Sequence, residues 1–485
     1  MTIEFSHRIG GNWVAGESGK LVEDFSPADQ QRLLTRFNLL SAEQVRQAMD
    51  AAVAGAARWR ATSAVTRGAV LLKAAQGLRA GKAELAEIIA LENGKTLAEA
   101  SVEVDKSAEF LEFYAATARL PQGGMIADGR PGTQAMAMVE PVGVVVMITP
   151  WNDPMLTPAR KLGPALISGN AVILKPARDT PLAAFLIVRA LVEAGLPDGV
   201  LNLVVCDHDV FDQQVLERPE LAAVTFTGST AVGLGLGHRL AGRNVRLQTE
   251  MGGKNASVVL ADADLDMAAE TIAAAAFGQA GQRCTATSRV LVEAEVHDQL
   301  LERLLAAAVR LQPGLSTAAG TLLGPVVSRR HQQEVLAHIE GARASGARIL
   351  CGGGAPEEPA LAQGCFVLPT LIAGVTAQMP IWREEVFGPV LAVMPVNSFD
   401  EAVQAVNDSQ YGLSAALFTQ NLRHAQRFVE AVDTGQVSVN LPTSGWDVHQ
   451  PFGGFKESGS AFKEQGLEGL RFYTRTKMAA IRYDW

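Results

Sequence analysis

The chain has 485 residues, a formal net charge of −9 and 48% hydrophobic residues. This length exceeds one ordinary domain and predicts about three units of globular composition. The acidic balance argues against general nucleic-acid binding, which favours basic patches. The sequence contains no apolar run near the roughly 18 residues of a membrane-spanning helix, and its N-terminus has no signal-peptide pattern. We therefore expect a soluble, cytoplasmic protein that binds neither nucleic acid nor membrane.

The cysteines show neither a CxxC pair nor the spacing of metal ligands. The four are Cys206, Cys284, Cys351 and Cys365. Thiols in this arrangement are typical of a reducing compartment, in which they stay unpaired. The sequence therefore predicts free thiols and no metal site.

The first 141 residues are predicted to be mainly helical after short strands and turns in residues 1–40. Ser41 precedes the first helical pattern, and further helices are expected at 65–79, 82–91 and 97–120. Residues 121–139 are rich in glycine and then alternate in polarity, which predicts a hairpin. Composition alone favours a plain surface hairpin.

From residue 142 the pattern becomes strand, loop and helix. Apolar runs predict strands at 142–148, 171–174, 200–205, 222–226 and 257–260, and helices are expected at 181–194 and 231–240. After Gly253, helices are predicted at 265–279, 297–311, 329–345 and 399–407, and strands at 289–292, 348–351, 366–369, 390–395, 415–418 and 436–440. A strand-like tail covers 472–483. This is a doubly wound α/β pattern, in which ligands bind at the carboxyl ends of strands.

Cys284 lies among glycine and small residues that admit close approach of another molecule. Most free cysteines are small buried hydrophobes, so the thiol alone leaves its role open. Six motifs nevertheless occur in one order: TPWN at 149–152, FTGS at 226–229, EMGGKN at 250–255, GQRC at 281–284, EEVFGP at 384–389 and PFGGFKESG at 451–459. Together they resemble the aldehyde dehydrogenase superfamily over nearly the whole chain, nearest to its semialdehyde and ketoglutarate-semialdehyde branch.

The resemblance implies three structural units. They are a Rossmann-like cofactor domain of residues 1–122 and 142–252, an α/β catalytic domain of residues 253–458, and a small β oligomerisation element of residues 123–141 and 459–485. In that element the hairpin pairs with the C-terminal strand. The expected assembly is a homodimer or homotetramer.

Aldehyde oxidation through a thioester needs a nucleophile, an oxyanion donor and a base. The resemblance assigns the nucleophile to Cys284, oxyanion stabilisation to the Asn152 amide with the Cys284 N–H, and the base to Glu250. Glu464 is similar to a second carboxylate that relays protons, although one extra residue precedes it here. Two simpler alternatives remain: Asn152 caps the helix that begins near Met155, and Glu250 is only a strand-end charge.

The same resemblance predicts a binding site for NADP or NAD. The predicted cofactor contacts are Thr149, Trp151, Lys175, Arg178, Gly228, Ser229, Gly252, Glu385 and Phe387. The FTGS loop opens a helix whose N-terminus favours an anionic phosphate. Arg178 stands where many NAD-using relatives carry a glutamate that holds the adenosine ribose. A guanidinium can pair with a 2′-phosphate, so the sequence favours NADP over NAD.

Substrate contacts are predicted for Arg160, Arg283, Trp446 and His449. The resemblance to semialdehyde-oxidising relatives implies that Arg160 holds a distal carboxylate of the aldehyde, and Arg283 beside the nucleophile adds a second positive charge. Trp446 and His449 suit an aromatic or aliphatic aldehyde equally well. An acylating enzyme that uses coenzyme A is disfavoured because Glu250 is present, and a catalytically silent relative is disfavoured by the intact residue set.

Overall fold

The computed structural model describes residues 2–483. Met1, Asp484 and Trp485, which fall in the predicted cofactor domain and oligomerisation element, lie outside the described residues. The helices are α1 (Ala42–Ala61), α2 (Ala64–Ala80), α3 (Lys82–Asn93), α4 (Leu97–Ala116), α5 (Leu156–Ile167), α6 (Pro181–Glu193), α7 (His208–Phe211), α8 (Thr230–Leu240), α9 (Leu265–Phe277), α10 (His297–Arg310), α11 (Arg329–Ala344), α12 (Pro380–Arg383), α13 (Phe399–Asn407), α14 (Leu422–Ala431) and α15 (Glu468–Tyr473).

The strands are β1 (His7–Ile9), β2 (Asn12–Val14), β3 (Leu21–Ser26), β4 (Asp29–Asn38), β5 (Gly123–Ile126), β6 (Thr133–Pro141), β7 (Val144–Ile148), β8 (Ala171–Lys175), β9 (Leu201–Leu203), β10 (Leu221–Thr227), β11 (Arg246–Glu250), β12 (Asn255–Val259), β13 (Thr287–Glu293), β14 (Arg348–Cys351), β15 (Thr370–Ala373), β16 (Val390–Val396), β17 (Tyr411–Gly412), β18 (Ser414–Phe418), β19 (Gln436–Val439), β20 (Phe455–Lys456) and β21 (Thr474–Arg482). In the described part of the chain, no helix is long and apolar enough to span a bilayer.

The first large sheet has the order β11-β10-β7-β8-β9-β1-β2. The first five strands in this order, from β11 to β9, run parallel, and β1 pairs with β9 in the antiparallel direction. Strands β7 and β8 are apolar and almost fully buried, as expected for strands covered by helices on both faces. The loops after β7, β8, β10 and β11 therefore meet at one edge of the sheet.

The second large sheet has the order β14-β15-β16-β13-β12-β18-β19. All its neighbouring strands are parallel except the pair of β14 and β15. Cys284 precedes β13, Gly253 precedes β12 and Glu385 precedes β16. These residues thus lie at the amino ends of this sheet, whereas Glu250 ends a strand of the first sheet. The predicted α/β fold class is confirmed.

A third sheet has the order β21-β6-β5. The predicted hairpin is confirmed, and β21 pairs with β6 through nine residues, from Thr474 opposite Pro141 to Arg482 opposite Thr133. The tail therefore finds its strand partner within its own chain. Several apolar side chains of this sheet are exposed: Met125, Ile126, Met138, Met478 and Ile481.

Two predicted elements differ from the structure. Residues 366–369, which were predicted to form a strand, are irregular. The strand in this region is β15, which begins directly after them. The apolar run reflects burial, since Phe366 is fully buried, and Pro369 has no N–H to give to a ladder. The predicted tail strand at 472–483 begins later, because Phe472 and Tyr473 end α15. Helix α14 was not predicted. The three domain boundaries stay predictions.

Candidate active site

A cavity of about 470 Å³ opens at the junction of the two large sheets. We call it the Cys284 cavity. It is lined by Ala98, Glu99, Val102, Glu103, Lys106, Phe110, Asp153, Leu156, Arg160, Gln279, Arg283, Cys284, Thr285, Ser444, Gly445, Trp446, Val448, Phe452 and Gln465. The walls are mostly apolar, and charged side chains enter from α4, α5 and the loop before β13. Such a cavity is the usual form of a small-molecule site.

The loop that carries Cys284 has an uncommon backbone. Gln279, Ala280 and Gly281 are consecutive residues with φ of 53°, 54° and 70°. Gly281 is required here, because a β-carbon would overlap the carbonyl oxygen of Gly388. The carbonyl oxygen of Cys284 accepts a hydrogen bond of 2.8 Å from Asn255 Nδ2. The turn therefore holds the thiol at the cavity surface.

The Cys284 thiol is protonated at neutral pH in this structure. Burial raises its pKa to about 12, and nearby carboxylates raise it as well, while Arg160 acts in the opposite direction. Because a thiolate is the reactive form, the site needs a base that removes this proton.

Asn152 lies beside the Cys284 loop. It is 7% exposed, and its Nδ2 donates a 3.0 Å hydrogen bond to the carbonyl oxygen of Gln282. Its own carbonyl oxygen accepts 2.8 Å from Nζ of Lys95. At the start of helix α5 the N–H groups of Met155 and Leu156 donate to Oε1 of Glu103, so the alternative that Asn152 caps this helix is wrong. One N–H of the amide is left for another acceptor.

Lys95 was missed in the sequence. Its side chain is fully buried, and its Nζ lies 2.6 Å from Glu103 and 3.1 Å from Asp153. Asp153 also accepts 3.2 Å from Gln279 Nε2. These contacts connect α4, the Asn152 loop and the Cys284 loop. The only signal in the sequence was a lysine after Gly94, which is too common to single out.

Glu250 ends β11 as a buried carboxylate. It is 3% exposed; Oε1 accepts from Gln248 Nε2 at 3.4 Å, and Oε2 has no partner among the described residues. Burial raises its pKa well above the ordinary value, and the charge of Glu464 adds to this effect. A raised pKa makes the carboxylate a stronger base. Glu250 is therefore more than an exposed strand-end charge.

Glu464 lies in the same buried group as two cations. Its Oε1 forms a short contact with Nζ of Lys161, and its Oε2 lies 3.5 Å from Nε of Arg160. Although burial acts to raise the pKa of Glu464, Lys161 and Arg160 together hold it below the ordinary value. Lys161 also contacts Thr225 Oγ1 at 2.7 Å. Glu464 thus stays ionised behind Glu250.

Two cations stand at the carboxyl end of β8. Lys175 is 7% exposed, and burial lowers its pKa; its Nζ lies 5.5 Å from the ring of Phe211. Arg178 Nη2 donates 2.8 Å to the carbonyl oxygen of Cys206 and 2.9 Å to Oδ1 of Asp207. Arg178 therefore lies over the edge of the sheet, already paired with one carboxylate.

The FTGS loop leaves several donors free at the same edge. Ser229 is the N-cap of α8, yet its side chain makes no capping hydrogen bond. The hydroxyls of Thr149 and Thr230 are buried without a partner among the described residues. Gly233 allows α8 to pack closely, because a β-carbon there would overlap Sδ of Met251. Unpaired donors beside a helix N-terminus fit the phosphates of a dinucleotide.

Glu385 is held against the turn before β12. Its Oε1 accepts 2.8 Å from the N–H of Gly253, and a β-carbon on Gly252 would overlap the same carboxylate. Burial raises the pKa of Glu385 to about 7. The ring of Trp151 lies 5.3 Å from that of Phe387, which has φ of 55°. A carboxylate and an aromatic wall thus lie between the two sheets.

His331 completes this aromatic wall and was missed in the sequence. Its ring lies 5.3 Å from that of Trp151, and its Nε2 is 2.8 Å from the carbonyl oxygen of Phe387. A histidine in the first turn of α11 gives no motif by which it could have been found.

Three of the four predicted substrate residues line the Cys284 cavity: Arg160, Arg283 and Trp446. Trp446 Nε1 is buried without a partner among the described residues. His449 does not line this cavity: its side chain is mostly exposed, and its Nδ1 lies 3.7 Å from Asp447, so its contact with substrate stays a prediction. Loop residues three apart face different directions, which sequence alone does not resolve.

Comparison with known proteins agrees with this geometry. A sequence profile of the aldehyde dehydrogenase family matches residues 13–479. The chain is 40% identical over 484 residues to an α-ketoglutarate semialdehyde dehydrogenase of Haloferax volcanii, with 100% of both chains covered. It is 39% identical over 473 residues to a 2,5-dioxopentanoate dehydrogenase of Saccharolobus solfataricus, which covers 97% of this chain and 98% of the relative.

A solved structure supports the same assignment. Betaine aldehyde dehydrogenase from Staphylococcus aureus in complex with NAD+ superposes with a TM-score of 0.95 at 31% identity, covering 98% of this chain and 95% of that one. The chain belongs to the aldehyde dehydrogenase family and is an NAD(P)-dependent enzyme that oxidises aldehydes to acids.

Proposed function

We propose that the preferred substrate is a semialdehyde that carries a distal carboxylate. The observation that supports this most is the presence of Arg160 and Arg283 in one cavity with Cys284. Arg283 forms no salt bridge within residues 2–483, so its charge is available to a ligand. The two relatives described above are named for such substrates.

The distal end of the substrate would meet one more donor. The unpartnered Nε1 of Trp446 lines the same cavity and can donate to a carboxylate or carbonyl oxygen. An apolar aldehyde would leave Nε1 of Trp446 without a partner, which costs free energy. An aromatic or aliphatic aldehyde is the second candidate, because Phe110, Leu156 and Phe452 make most of the wall apolar.

The proposed reaction begins with proton transfer from the Cys284 thiol to Glu250. The thiolate attacks the carbonyl carbon, and the aldehyde oxygen becomes an oxyanion. The free N–H of the Asn152 amide and the backbone N–H of Cys284 donate to this oxygen. Loss of hydride from the thiohemiacetal gives a thioester on Cys284. Each step uses a group that lies at the junction of the two sheets.

Deacylation requires an activated water. After the thiol proton has left Glu250 through Glu464, Glu250 takes a proton from the water as the water oxygen attacks the thioester carbon. Cys284 then leaves as a thiolate, and the carboxylic acid is released. Glu464, held by Lys161 and Arg160, lies behind Glu250. It is proposed to accept the proton from Glu250 and pass it on. The raised pKa of Glu250 suits both proton transfers.

The residues fit NAD(P) at the edge between the sheets. Thr149, Trp151, Gly228, Ser229 and Gly252 are proposed to enclose it, with Lys175 at the adenosine ribose and Glu385 with Phe387 at the nicotinamide end. The free hydroxyls of Thr149 and Thr230 and the close Gly252–Glu385 approach support this fit. When bound, the nicotinamide accepts the hydride released from the thiohemiacetal.

We propose further that NADP is preferred over NAD. Lys175 and Arg178 bring two positive charges to the carboxyl end of β8, and Asp207 accepts from only one of the donors of Arg178. A 2′-phosphate would compete with Asp207 for this guanidinium. The preference should therefore be modest.

We propose that the chain self-associates through the β21-β6-β5 sheet. Its exposed methionine and isoleucine side chains and the second edge of β21 support this, because an exposed strand edge is a liability in an isolated chain. Sedimentation of the full-length chain at micromolar concentration tests it: a dimer or tetramer is expected, and a monomer would contradict it.

A substrate panel tests the proposed function. Initial rates of NAD(P)H formation are compared for semialdehydes with a terminal carboxylate and a chain of ~3–5 carbons, and for neutral aldehydes of the same length. We expect kcat/KM to be higher for the carboxylated aldehydes and unchanged by coenzyme A. Equal kcat/KM for matched neutral aldehydes would refute the proposed substrate class.

A further inference from the structure

Lys463 faces Glu250 across a single glycine. A β-carbon built on Gly453 would overlap Oε1 of Glu250 and would lie 3.1 Å from Cδ of Lys463. The position of Lys463 is fixed, because the next residue, Glu464, forms an antiparallel bridge with Phe452. The two backbone hydrogen bonds between Phe452 and Glu464 measure 2.9 Å and 2.7 Å between nitrogen and oxygen. The geometry brings a cation next to the proposed base.

The Lys463 ammonium is held without a counter-ion. Its Nζ donates to the carbonyl oxygen of Gly453 and lies 4.5 Å from the centroid of the Phe455 ring. A side chain at Gly435 would crowd it, since a β-carbon there would lie 2.8 Å from Nζ. Lys463 forms no salt bridge with any residue between 2 and 483, so its charge is not neutralised by a carboxylate at contact distance.

The other charges around Glu250 do not replace this one. The titratable groups that face Glu250 are Glu464, Lys161, Arg160, Cys284 and Lys463. Lys161 and Arg160 are engaged by Glu464, whose own charge disfavours ionisation of Glu250. Lys463 is therefore the cation near Glu250 that no carboxylate engages. It is also only half-buried.

We propose that Lys463 is a positioning residue that favours the ionised form of Glu250 by placing a positive charge beside it across Gly453. This inference rests on the proposed role of Glu250 as the base. Burial raises the pKa of Glu250 and so disfavours its ionised form, and a protonated carboxyl can accept neither the thiol proton nor a proton from water. Since the ammonium favours the charged form of Glu250, its removal should raise the pKa of this carboxyl.

The test is the pH profile of three variants with an aldehyde that the wild type oxidises. Lys463→Met removes the charge and keeps the length, and Lys463→Arg restores the charge. Lys456→Met is the matched control, because Lys456 lies in the same loop but donates to Asn407 and lies 3.4 Å from Asp433. The readouts are kcat and kcat/KM across the acid limb, together with Tm.

In Lys463→Met we expect the midpoint of the acid limb to rise by about one pH unit, which lowers kcat about tenfold below the midpoint and leaves the plateau unchanged. Lys463→Arg and Lys456→Met should keep the wild-type midpoint. An unshifted midpoint in Lys463→Met would overturn the inference, and so would a loss at every pH with a lower Tm. If Glu250→Gln retains wild-type turnover, the role of Glu250 fails first, independently of Lys463.

Discussion

Replacing Arg160 by glutamine measures how much the cavity cation contributes to binding a carboxylated substrate. Arg160 is 9% exposed, and its Nε has no hydrogen-bond partner among the described residues. A charge-assisted hydrogen bond contributes about 1.5–3 kcal/mol, which corresponds to roughly 10- to 150-fold in kcat/KM. Because Glu464 lies 3.5 Å away and shares the charge, we expect the lower part of this range.

The assay compares kcat/KM for a carboxylated semialdehyde and a neutral aldehyde of equal length. Arg160→Gln should lose roughly 10- to 30-fold with the carboxylated substrate. The loss with the neutral substrate should be smaller, because Lys161 still holds Glu464. Lys106→Gln is the matched control: Lys106 also lines the cavity, but its side chain is 39% exposed and already lies 2.6 Å from Glu109. Its loss should be small with both substrates. Equal losses for both aldehydes in Arg160→Gln would refute the reasoning.

Three further predictions concern the base, the cofactor and the assembly. Glu250→Gln should abolish steady-state turnover but keep one burst of NAD(P)H in stopped-flow if the base acts mainly on water, and wild-type turnover would remove Glu250 from the mechanism. Arg178→Glu should reverse the NADP preference in kcat/KM, whereas a strong wild-type preference for NAD would contradict the role given to Arg178. Deleting 474–485 should give monomers or aggregates in sedimentation, and an unchanged oligomer would exclude β21 from the interface.

The sequence was sufficient to predict site residues that lie in short glycine-containing turns. Cys284 follows Gly281, where a β-carbon would overlap the backbone of Gly388, and Glu250 precedes Gly252, where a β-carbon would overlap the carboxylate of Glu385. Residues in such turns must stay close to one another along the chain, so their motifs can be read. The alternation of strands and helices was also readable, since buried parallel strands form continuous apolar runs.

The sequence failed where distant segments decide the outcome. Lys95 and Lys463 are ordinary lysines until folding brings them to Asn152 and Glu250, and no local pattern marks that pairing. The strand predicted at 366–369 had the right composition, but its apolar side chains fill a core instead of a sheet. His449 shows the same limit for a loop, because the direction of its side chain depends on the packing around it.

The mechanism depends on a covalent bond between substrate and Cys284, which peptide mapping by mass spectrometry can detect. Wild-type protein is mixed with the aldehyde and NAD(P)+, quenched in acid within the first turnover, digested and mapped. We expect an acyl mass increment on the peptide that contains Cys284, in proportion to the NAD(P)H burst, and none on the half-buried Cys351. A full burst without an acyl group on Cys284, or the same increment in Cys284→Ala, would contradict it.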